Sequence, residues 1–348
     1  MVKTAAILGA TGMVGQRFAY LLHNHPWFEL TTLAASERSA GKKYCECAKW
    51  YIEGNMPEKL ADVDVVAVSD KIDADVIFSA LPTEIAKDVE AKLVQKGKII
   101  VSEASCFRTD ADVPILIPEV NPEHIVLADD QKARWSGKIY KKPNCTTTGL
   151  MMALKPIQDT YGLKSVIVST MQALSGAGYD GVPSMAIIDN VIPFIKNEDE
   201  KVEQETLKIL GAPRNPANIR VSASCNRVAT LEGHLECAFV ETEQKADPEE
   251  VKKAMASFKS PIAGLELPTA PIKPLIVFED PTRPQPRLDR YAGSPERARG
   301  MATCVGRVRK DNVFENGLRF TCLSHNTIRG AAGNSVLIAE LLIKKGVI

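Results

Sequence analysis

One cysteine of the eight stands in a context suited to covalent chemistry. Cys145 follows Asn144 and precedes three threonines, at the start of a helix predicted over residues 147–161. A helix N-terminus lowers the pKa of a nearby thiol and supplies backbone amides that can hold a developing oxyanion. Cys145 is therefore predicted to be a nucleophile. Four other cysteines are interpreted as small buried apolar side chains, namely Cys225, Cys237, Cys304 and Cys322.

A cysteine nucleophile needs an acid-base partner, and the chain has five histidines. His23 and His25 fall at the end of the first predicted helix, and His124 falls in a polar loop. His234 opens a predicted strand, and His325 precedes the last predicted helix. A lone histidine is more often structural than catalytic, and spacing alone cannot choose between His234 and His325.

A glycine-rich segment lies between a strand predicted over residues 3–8 and a helix predicted over 12–23. Glycines there allow a tight turn and let backbone amides approach a pyrophosphate at the helix N-terminus. The position of this segment within a β-α-β pattern predicts a dinucleotide site. The residues expected to contact the cofactor are Gly9, Thr11, Gly12, Met13, Val14 and Gly15.

The end of the second predicted strand indicates which dinucleotide binds. An arginine near this position accommodates the 2′-phosphate of NADP, whereas an acidic residue holds the ribose hydroxyl of NAD. Ser36, Arg38 and Ser39 favour NADP, and Glu37 leaves NAD as an alternative. A nucleophilic cysteine combined with a nicotinamide predicts that a thiohemiacetal is oxidised to a thioester.

The first half of the chain alternates strands with helices. This pattern predicts an α/β domain with a Rossmann-type, doubly wound parallel sheet. The strands are predicted over residues 3–8, 29–35, 63–68, 76–79 and 98–102, and the helices over 12–23 and 83–95.

After residue 162 the pattern changes, and an α+β domain with a mixed sheet is predicted. Its strands are predicted over residues 165–173, 235–242, 303–308 and 319–324, and its helices over 198–210 and 248–258. Seven prolines between Pro261 and Pro286 indicate an extended arm or loop rather than central strands. A last helix over 328–345 begins with small residues that permit close packing.

These elements predict two domains, as the length of 348 residues also suggests. The first covers residues 1–149 and is completed by residues 328–348, and the second covers 150–327.

The composition argues against several classes of partner and location. The 43 basic residues equal the 43 acidic ones, which gives no reason to expect nucleic acid or a membrane surface as partner. The N-terminal apolar stretch is too short for a signal peptide, and no apolar run approaches the ~20 residues of a membrane span. Scattered cysteines favour a reducing cytoplasm. Cys45 and Cys47 lack a second pair at zinc spacing, so no metal is expected.

Seven motifs occur in one order along nearly the whole chain, namely GATGMVGQRF, ERSAGKKY, FSALP, PNCTT, QALSGAGYDGVPSM, SCNRVATLEGH and HNTIRGAAGN. In these motifs the chain resembles the archaeal and fungal branch of the aspartate-semialdehyde dehydrogenase family. The resemblance implies NADPH-dependent reductive dephosphorylation of aspartyl 4-phosphate to aspartate 4-semialdehyde, on the route to lysine, threonine and methionine. It also implies a homodimer or homotetramer whose second domain serves catalysis and dimerisation.

The resemblance assigns roles to individual residues. Cys145 would be the nucleophile, His234 the acid-base catalyst, and Gln172 the group that orients the acyl intermediate. Arg227 would bind the substrate α-carboxylate, as suits the bidentate geometry of a guanidinium. Arg108, Asn144 and Lys201 would hold the phosphate. Glu198 would bind the substrate ammonium, or else form an exposed helix salt bridge with Lys201. Further cofactor contacts would be Ser79, Leu81, Ser175, Gly176 and Asn326.

Other functions share parts of this pattern. A related malonyl-CoA reductase keeps most motifs but replaces the asparagine before the cysteine, so the intact Asn144-Cys145 pair favours an acyl phosphate. N-acetyl-glutamyl-phosphate reductase shares the chemistry, but its cysteine lies in a different local sequence. Glyceraldehyde-phosphate dehydrogenase has a similar Cys-Thr-Thr sequence, but its base lies elsewhere and it lacks QALSGAG. A non-catalytic NADP sensor would need the glycine loop but not Cys145, Gln172, Arg227 and His234 together.

Overall fold

The computed structural model describes residues 2–69 and 71–348, which form two compact units. Met1, the predicted start of the first domain, lies outside the described residues. The first unit runs to Leu116, resumes over Glu123–Pro143 and ends with Ala331–Ile348. The second unit holds Ile117–Pro122 and Asn144–Gly330. The units thus divide before Asn144, whereas the predicted division after residue 149 falls within a helix.

The first unit is built on a six-stranded parallel sheet in the order β3-β2-β1-β4-β5-β6. Its strands are β1 (Lys3–Leu8), β2 (Phe28–Ala35), β3 (Val65–Ala67), β4 (Val76–Ser79), β5 (Ile99–Ser102) and β6 (Lys138–Lys141). Its helices in this part of the chain are α1 (Met13–Leu22), α2 (Tyr44–Cys47), α3 (Glu58–Ala61) and α4 (Thr83–Gln95). The strand order reverses between β1 and β4, which is where Rossmann-type sheets bind dinucleotides.

Apolar side chains alternate between two cores, one on each face of this sheet. Ile7 and Phe78 lie in one core, and their neighbours Leu8 and Ile77 lie in the other. Because successive strand residues point to opposite faces, such continuous apolar runs mark strands that are covered on both sides. The predicted doubly wound α/β domain is confirmed.

Strand β6 was missed by the sequence analysis because a lysine occupies a fully buried position in it. The Lys141 ammonium lies 2.6 Å from the Glu90 carboxylate of α4 and 2.7 Å from the Ser102 hydroxyl of β5. Ser102 also donates a 2.6 Å hydrogen bond to Glu90. The charge of Lys141 is thus neutralised by a residue 51 positions away, which no local pattern reveals.

The second unit contains a mixed sheet in the order β10-β11-β12-β9-β7-β8. Its strands are β7 (Leu163–Gln172), β8 (Arg220–Arg227), β9 (His234–Thr242), β10 (Leu275–Phe278), β11 (Thr303–Lys310) and β12 (Gly317–Ser324). Its helices are α5 (Cys145–Tyr161), α6 (Ser184–Ile187), α7 (Glu198–Leu210), α8 (Pro248–Ala256) and α9 (Pro286–Asp289). The β7–β8 and β10–β11 pairs are parallel and the others antiparallel, which confirms the predicted mixed sheet. The proline-rich segment contributes one strand, β10, and it lies at the edge of the sheet. Proline lacks an amide donor, so a proline-rich segment is disfavoured in the centre of a sheet.

The chain then returns to the first unit through α10 (Gly333–Lys344), whose Val336 and Ala339 join one of its cores. The prediction of one continuous helix from residue 328 is wrong. Residues Ile328–Ala332 form a separate wide turn in which Ala331 has φ −146° and ψ −114°, outside the helical range. Among the helices of the described residues the longest has 17 residues, and none is long and apolar enough to cross a membrane.

The buried ion pair of β6 can be tested against an exposed one on the same strand. We expect Lys141→Met to lower the free energy of unfolding by about 3–5 kcal/mol, because it leaves the buried Glu90 carboxylate without its cation. Lys138→Met breaks a pair with Asp129, which is 67% exposed, and should cost no more than about 1 kcal/mol. Urea unfolding of both variants measures the difference. Equal losses would contradict the account of Lys141.

Candidate active site

The predicted nucleophile is the first residue of α5. The side-chain oxygen of Asn144 accepts hydrogen bonds from the amides of Thr146 and Thr147, at 2.9 and 3.3 Å. These bonds satisfy two helix amides that would otherwise lack partners, so the helix begins at Cys145, two residues earlier than predicted. Cys145 therefore lies directly at a helix N-terminus.

The structure brings His234 to Cys145. The Nε2 atom of His234 lies 3.2 Å from Cys145 Sγ, and the amide of Ala173 donates a 3.0 Å hydrogen bond to His234 Nδ1. Since a backbone amide can only donate, Nδ1 is the acceptor, and the proton of the neutral imidazole lies on Nε2, facing the sulfur.

The other histidines are held elsewhere. His325 is buried with its Nε2 3.3 Å from the Glu232 carboxylate. His25 is likewise buried, 2.9 Å from Glu340. His124 lies in a 3₁₀ helix, Pro122–Ala133, and is fully buried, so its predicted position in a polar loop is wrong. Of the two histidines that spacing left open, His234 contacts Cys145, and His325 lies beside Glu232.

The approach of α5 to the sheet is what aligns the two reactive groups. Cys145 and Gly149 are four residues apart and share one helix face, while His234 and Glu236 are two apart and share one strand face. A Cβ atom on Gly149 would collide with the hydroxyl of Ser324 and come within 3.3 Å of Glu236 Oε1. Only glycine lets the helix lie this close.

Arg227 and Gln172 end two adjacent strands and are direct register partners between β8 and β7. The Arg227 guanidinium donates a 2.6 Å hydrogen bond to the Ala173 carbonyl. Burial lowers the pKa of Arg227, and the nearby Cys145 partly offsets this effect. Gln172 is buried and donates to the Thr170 hydroxyl at 3.3 Å. Two predicted site residues thus stand side by side at the carboxyl ends of parallel strands.

Gly176, a predicted cofactor contact, lies against Arg227 and His234. A Cβ atom at Gly176 would be 2.9 Å from the Arg227 guanidinium and 3.2 Å from the His234 ring. A second glycine, Gly330, was not identified from the sequence, and a Cβ atom there would be 2.8 Å from the Cβ of Cys145. In the sequence, Gly330 is marked only by its place in a Gly-Ala-rich segment. That it lies against Cys145 is seen only in the folded structure.

Acidic side chains from α7 surround Asn144. Its amide nitrogen donates to Glu198 at 2.8 Å, and its backbone amide donates to Glu205 at 2.5 Å. Glu198 also lies 3.5 Å from the Lys201 ammonium. The predicted salt bridge of Glu198 is therefore present, but the carboxylate is buried rather than exposed. Glu205 was missed, although it lies two helical turns after Glu198 on the same face.

Asn326 holds the segment that precedes His234. Its side-chain oxygen accepts a 2.8 Å hydrogen bond from the Gly233 amide, and its nitrogen donates to Ser175 at 2.7 Å. Gly233 has φ +97°, which favours glycine. Asn326 and Ser175, both predicted to contact the cofactor, are thus bonded to each other.

The glycine loop of the first unit has the geometry of a pyrophosphate cradle. Gly9 has φ +80°, and a Cβ there would be 2.7 Å from the Ala80 carbonyl oxygen. A Cβ on Gly15 would overlap the Gly9 carbonyl, so this glycine lets α1 pack on the strand. A Cβ on Gly12 would meet nothing closer than 3.7 Å, which leaves open space above the helix N-terminus for a phosphate.

The other predicted contacts in the first unit gather at the carboxyl ends of its strands. Ser36 and Arg38 are exposed just after β2, where the Ser39 amide closes a turn onto the Ser36 carbonyl at 2.9 Å. Ser79 ends β4, and Leu81 follows it. Thr11, Met13 and Val14 lie between β1 and the first turn of α1. Arg108 is buried in the same unit and donates to the Glu103 carbonyl at 2.7 Å.

Cys225, Cys304 and Cys322 are buried, whereas Cys145 is partly exposed. Burial raises the pKa of the Cys225 and Cys322 thiols and raises that of Cys304 to about 12. These three thiols stay protonated near neutral pH and are poor nucleophiles. Cys237 was predicted to be buried, but it is partly exposed.

Comparisons with known proteins identify the family. The model described as "Semialdehyde dehydrogenase, NAD binding domain" matches residues 4–128, and "Semialdehyde dehydrogenase, dimerisation domain" matches residues 154–329. The aspartate-semialdehyde dehydrogenase of Archaeoglobus fulgidus is 52% identical, over 100% of each chain. The chain belongs to the aspartate-semialdehyde dehydrogenase family. The resemblance seen in the seven motifs is thereby confirmed.

The same family is found among solved structures. The crystal structure of aspartate semialdehyde dehydrogenase with NADP from Candida albicans has a TM-score of 0.89 and 38% identity, over 100% of each chain. The family also includes a protein named malonyl CoA reductase (NADP), from Metallosphaera sedula, which is 41% identical over 99% of this chain and 98% of its own. The Archaeoglobus fulgidus dehydrogenase thus has a higher sequence identity to this chain than the malonyl CoA reductase has.

The buried Glu236, two residues after His234 on β9, gives a pH-dependent prediction. Complete burial raises the pKa of this carboxyl well above its ordinary 4.5. In the unfolded chain the group ionises above pH 4.5, whereas in the folded protein it stays neutral. Its stabilising contribution is therefore present at low pH and lost as pH rises. We expect the free energy of unfolding of Glu236→Gln, measured relative to the wild type, to rise between pH 5 and pH 8. The rise should be up to about 1.4 kcal/mol per pH unit.

Urea unfolding at a series of pH values measures this trend, with Glu250→Gln on the exposed face of α8 as the matched control. The control should show no such slope. A stability difference for Glu236→Gln that stays constant with pH would mean that the carboxyl is ionised in the folded protein.

Proposed function

We propose that the chain catalyses the NADPH-dependent reductive dephosphorylation of aspartyl 4-phosphate to aspartate 4-semialdehyde, reversibly, through a thioester at Cys145. The observation that carries the proposal is the 3.2 Å contact between Cys145 Sγ and His234 Nε2 at the N-terminus of α5, in a chain of this family. The thiolate attacks the acyl carbon, the bond from that carbon to the phosphate oxygen breaks, and inorganic phosphate leaves.

The glycine loop and the turn after β2 fit the cofactor that this reaction uses. NADPH, when bound, supplies the hydride that reduces the thioester. Residues 9–15 would receive its pyrophosphate, and Ser36, Arg38 and Ser39 would surround its 2′-phosphate. The remaining contacts assigned to the cofactor are Ser79, Leu81, Ser175, Gly176 and Asn326.

His234 acts as a proton donor in this mechanism. Its Nε2 proton faces the sulfur, so it lies beside the oxygen of any group bonded to that sulfur. It protonates the thiohemiacetal oxygen that forms when the thioester is reduced. When the carbon–sulfur bond breaks, the oxygen returns the proton to Nε2 and the thiolate is regenerated.

The surrounding side chains suit an amino-acid substrate. Arg227 presents a guanidinium oriented by the Ala173 carbonyl, which fits bidentate binding of the α-carboxylate. The buried Glu198 carboxylate would pair with the ammonium group. Arg108 and Lys201 would hold the departing phosphate. Because the Asn144 side chain already caps α5, its contribution is chiefly to position Cys145 and the helix amides.

We further propose a homodimer or homotetramer in the cytoplasm. The dimerisation-domain model covers most of the second unit, which supports self-association. None of the eight cysteines, all within the described residues, forms a disulfide, which suits a reducing compartment.

The decisive assay measures NADP reduction with aspartate semialdehyde, with and without phosphate. Wild-type protein should require phosphate, because phosphate is the nucleophile that releases the thioester in this direction. Arg227→Lys should lower kcat/KM at least about tenfold, since lysine keeps the charge but loses the planar fork. NADP binding should not change. Faster NADPH oxidation with malonyl-CoA than with aspartyl phosphate would favour the malonyl-CoA reductase alternative.

The roles of Cys145 and His234 can be separated by replacement and labelling. Cys145→Ser should fold and bind NADP but show no turnover, because a serine hydroxyl is far less nucleophilic. His234→Ala should retain about 10⁻²–10⁻⁴ of the activity, the usual contribution of acid-base catalysis, and Cys145 should still react with iodoacetamide. Its labelling rate should depend differently on pH from that of the wild type.

Mass spectrometry locates the modified cysteine, and His325→Gln is the control. This control should leave the labelling of Cys145 unchanged. The assignment would be wrong if a buried thiol such as Cys225 reacted first, or if His325→Gln rather than His234→Ala altered the pH dependence.

A further inference from the structure

A β-bulge lies in the second unit, away from the catalytic residues. Strand β11 pairs Gly306 with Thr321 and Arg309 with Arg319 of β12, so two residues of β11 face the single residue between those partners. One of the two, Arg307, has φ +55°, a backbone conformation that residues other than glycine rarely adopt. Bulges of this kind re-aim the side chains of the strand and are typical of functional sites.

The bulge borders a cavity of about 460 Å³ whose lining is rich in basic side chains. Its lining includes Arg307, Arg309 and Arg319, together with Lys252 of α8 and Glu279 after β10. Arg309 and Arg319 are directly opposite one another across two strands, an arrangement in which like charges destabilise the sheet. The fold thus holds together charges that repel.

The protein itself does not neutralise these arginines. Lys252 is bound by Glu249 at 2.8 Å and by Glu279 at 2.9 Å, which uses the cavity's one acidic side chain. Over the described ranges, 2–69 and 71–348, none of the three guanidinium groups forms an ion pair with a carboxylate. The Nε atom of Arg319 is buried without a hydrogen-bond partner. Burial, followed by repulsion from Arg307 and Arg319, lowers the pKa of Arg309.

We propose that this cavity binds an oxyanion carrying at least two phosphate or carboxylate groups. Guanidinium groups recognise both through paired N–H donors, and three of them converge here without a counterion. The volume lies within the range of about 300–1,000 Å³ typical of small-ligand sites. The ligand is either a free small polyanion or the carboxylates of a second copy of this chain. None of the proposed catalytic residues lines the cavity, so the inference stands apart from the proposed function.

Inorganic pyrophosphate is the probe for a free polyanion, with calorimetry as the measurement. Wild-type protein should bind it, and Arg309→Gln should weaken that binding at least tenfold. Arg307→Asn should do the same while keeping the bulge, because asparagine tolerates the left-handed conformation. Lys253→Gln, on the exposed face of α8 nearby, is the matched control and should bind as the wild type does.

Sedimentation velocity tests the other source of the anion. If carboxylates of a second copy fill the cavity, Arg309→Gln and Arg307→Asn should weaken self-association at least tenfold and Lys253→Gln should not. The proposal is overturned if the two arginine variants match the wild type in both pyrophosphate affinity and self-association.

Discussion

The close approach of α5 to the mixed sheet is the contact on which the site depends. Gly149 allows it on the sheet side, and Gly330 allows a neighbouring turn to press on Cys145 itself. A Cβ at Gly149 would require Ser324 to shift, and a Cβ at Gly330 would require Cys145 itself to shift, close to its 3.2 Å contact with His234. Catalytic groups must be held to within about 0.5 Å, so the reactivity of Cys145 rests on two residues that have no side chain.

Around this contact, the backbone directs side-chain chemistry. The amide of Ala173 sets the tautomer of His234, and the carbonyl of the same residue orients Arg227. A single peptide segment after β7 thus orients both an imidazole and a guanidinium. Asn326 ties down the glycine that precedes the histidine. Because both groups belong to the residue that directly follows strand β7, the positions of His234 and Arg227 are set before a substrate arrives.

The sequence predicted the bounds of those helices and strands that depend mainly on neighbouring residues. Helices α4 and α7 and strand β4 have the predicted bounds. The apolar pattern of each element and the residues at its ends suffice to define it. Strand β8 was missed because its alternating polar residues and partly exposed face lack an apolar stripe. The histidine partner of Cys145 could not be chosen from spacing, since the pairing of β9 with β7 and β12 decides it. The resemblance to a known family assigns the role to His234, and the 3.2 Å contact with Cys145 agrees with that assignment.

The division of the chain also bears on how the protein is made. The second unit lies within the first one in sequence, and Ala331–Ile348 returns to complete the first. Domains form in order as the chain leaves the ribosome. A nascent chain that has emerged as far as Gly330 therefore carries Cys145 and His234 in a complete second unit. The nucleotide unit still lacks α10, which buries Val336 and Ala339 in its core. The contact between Cys145 and His234 thus forms before the nucleotide-binding unit is complete.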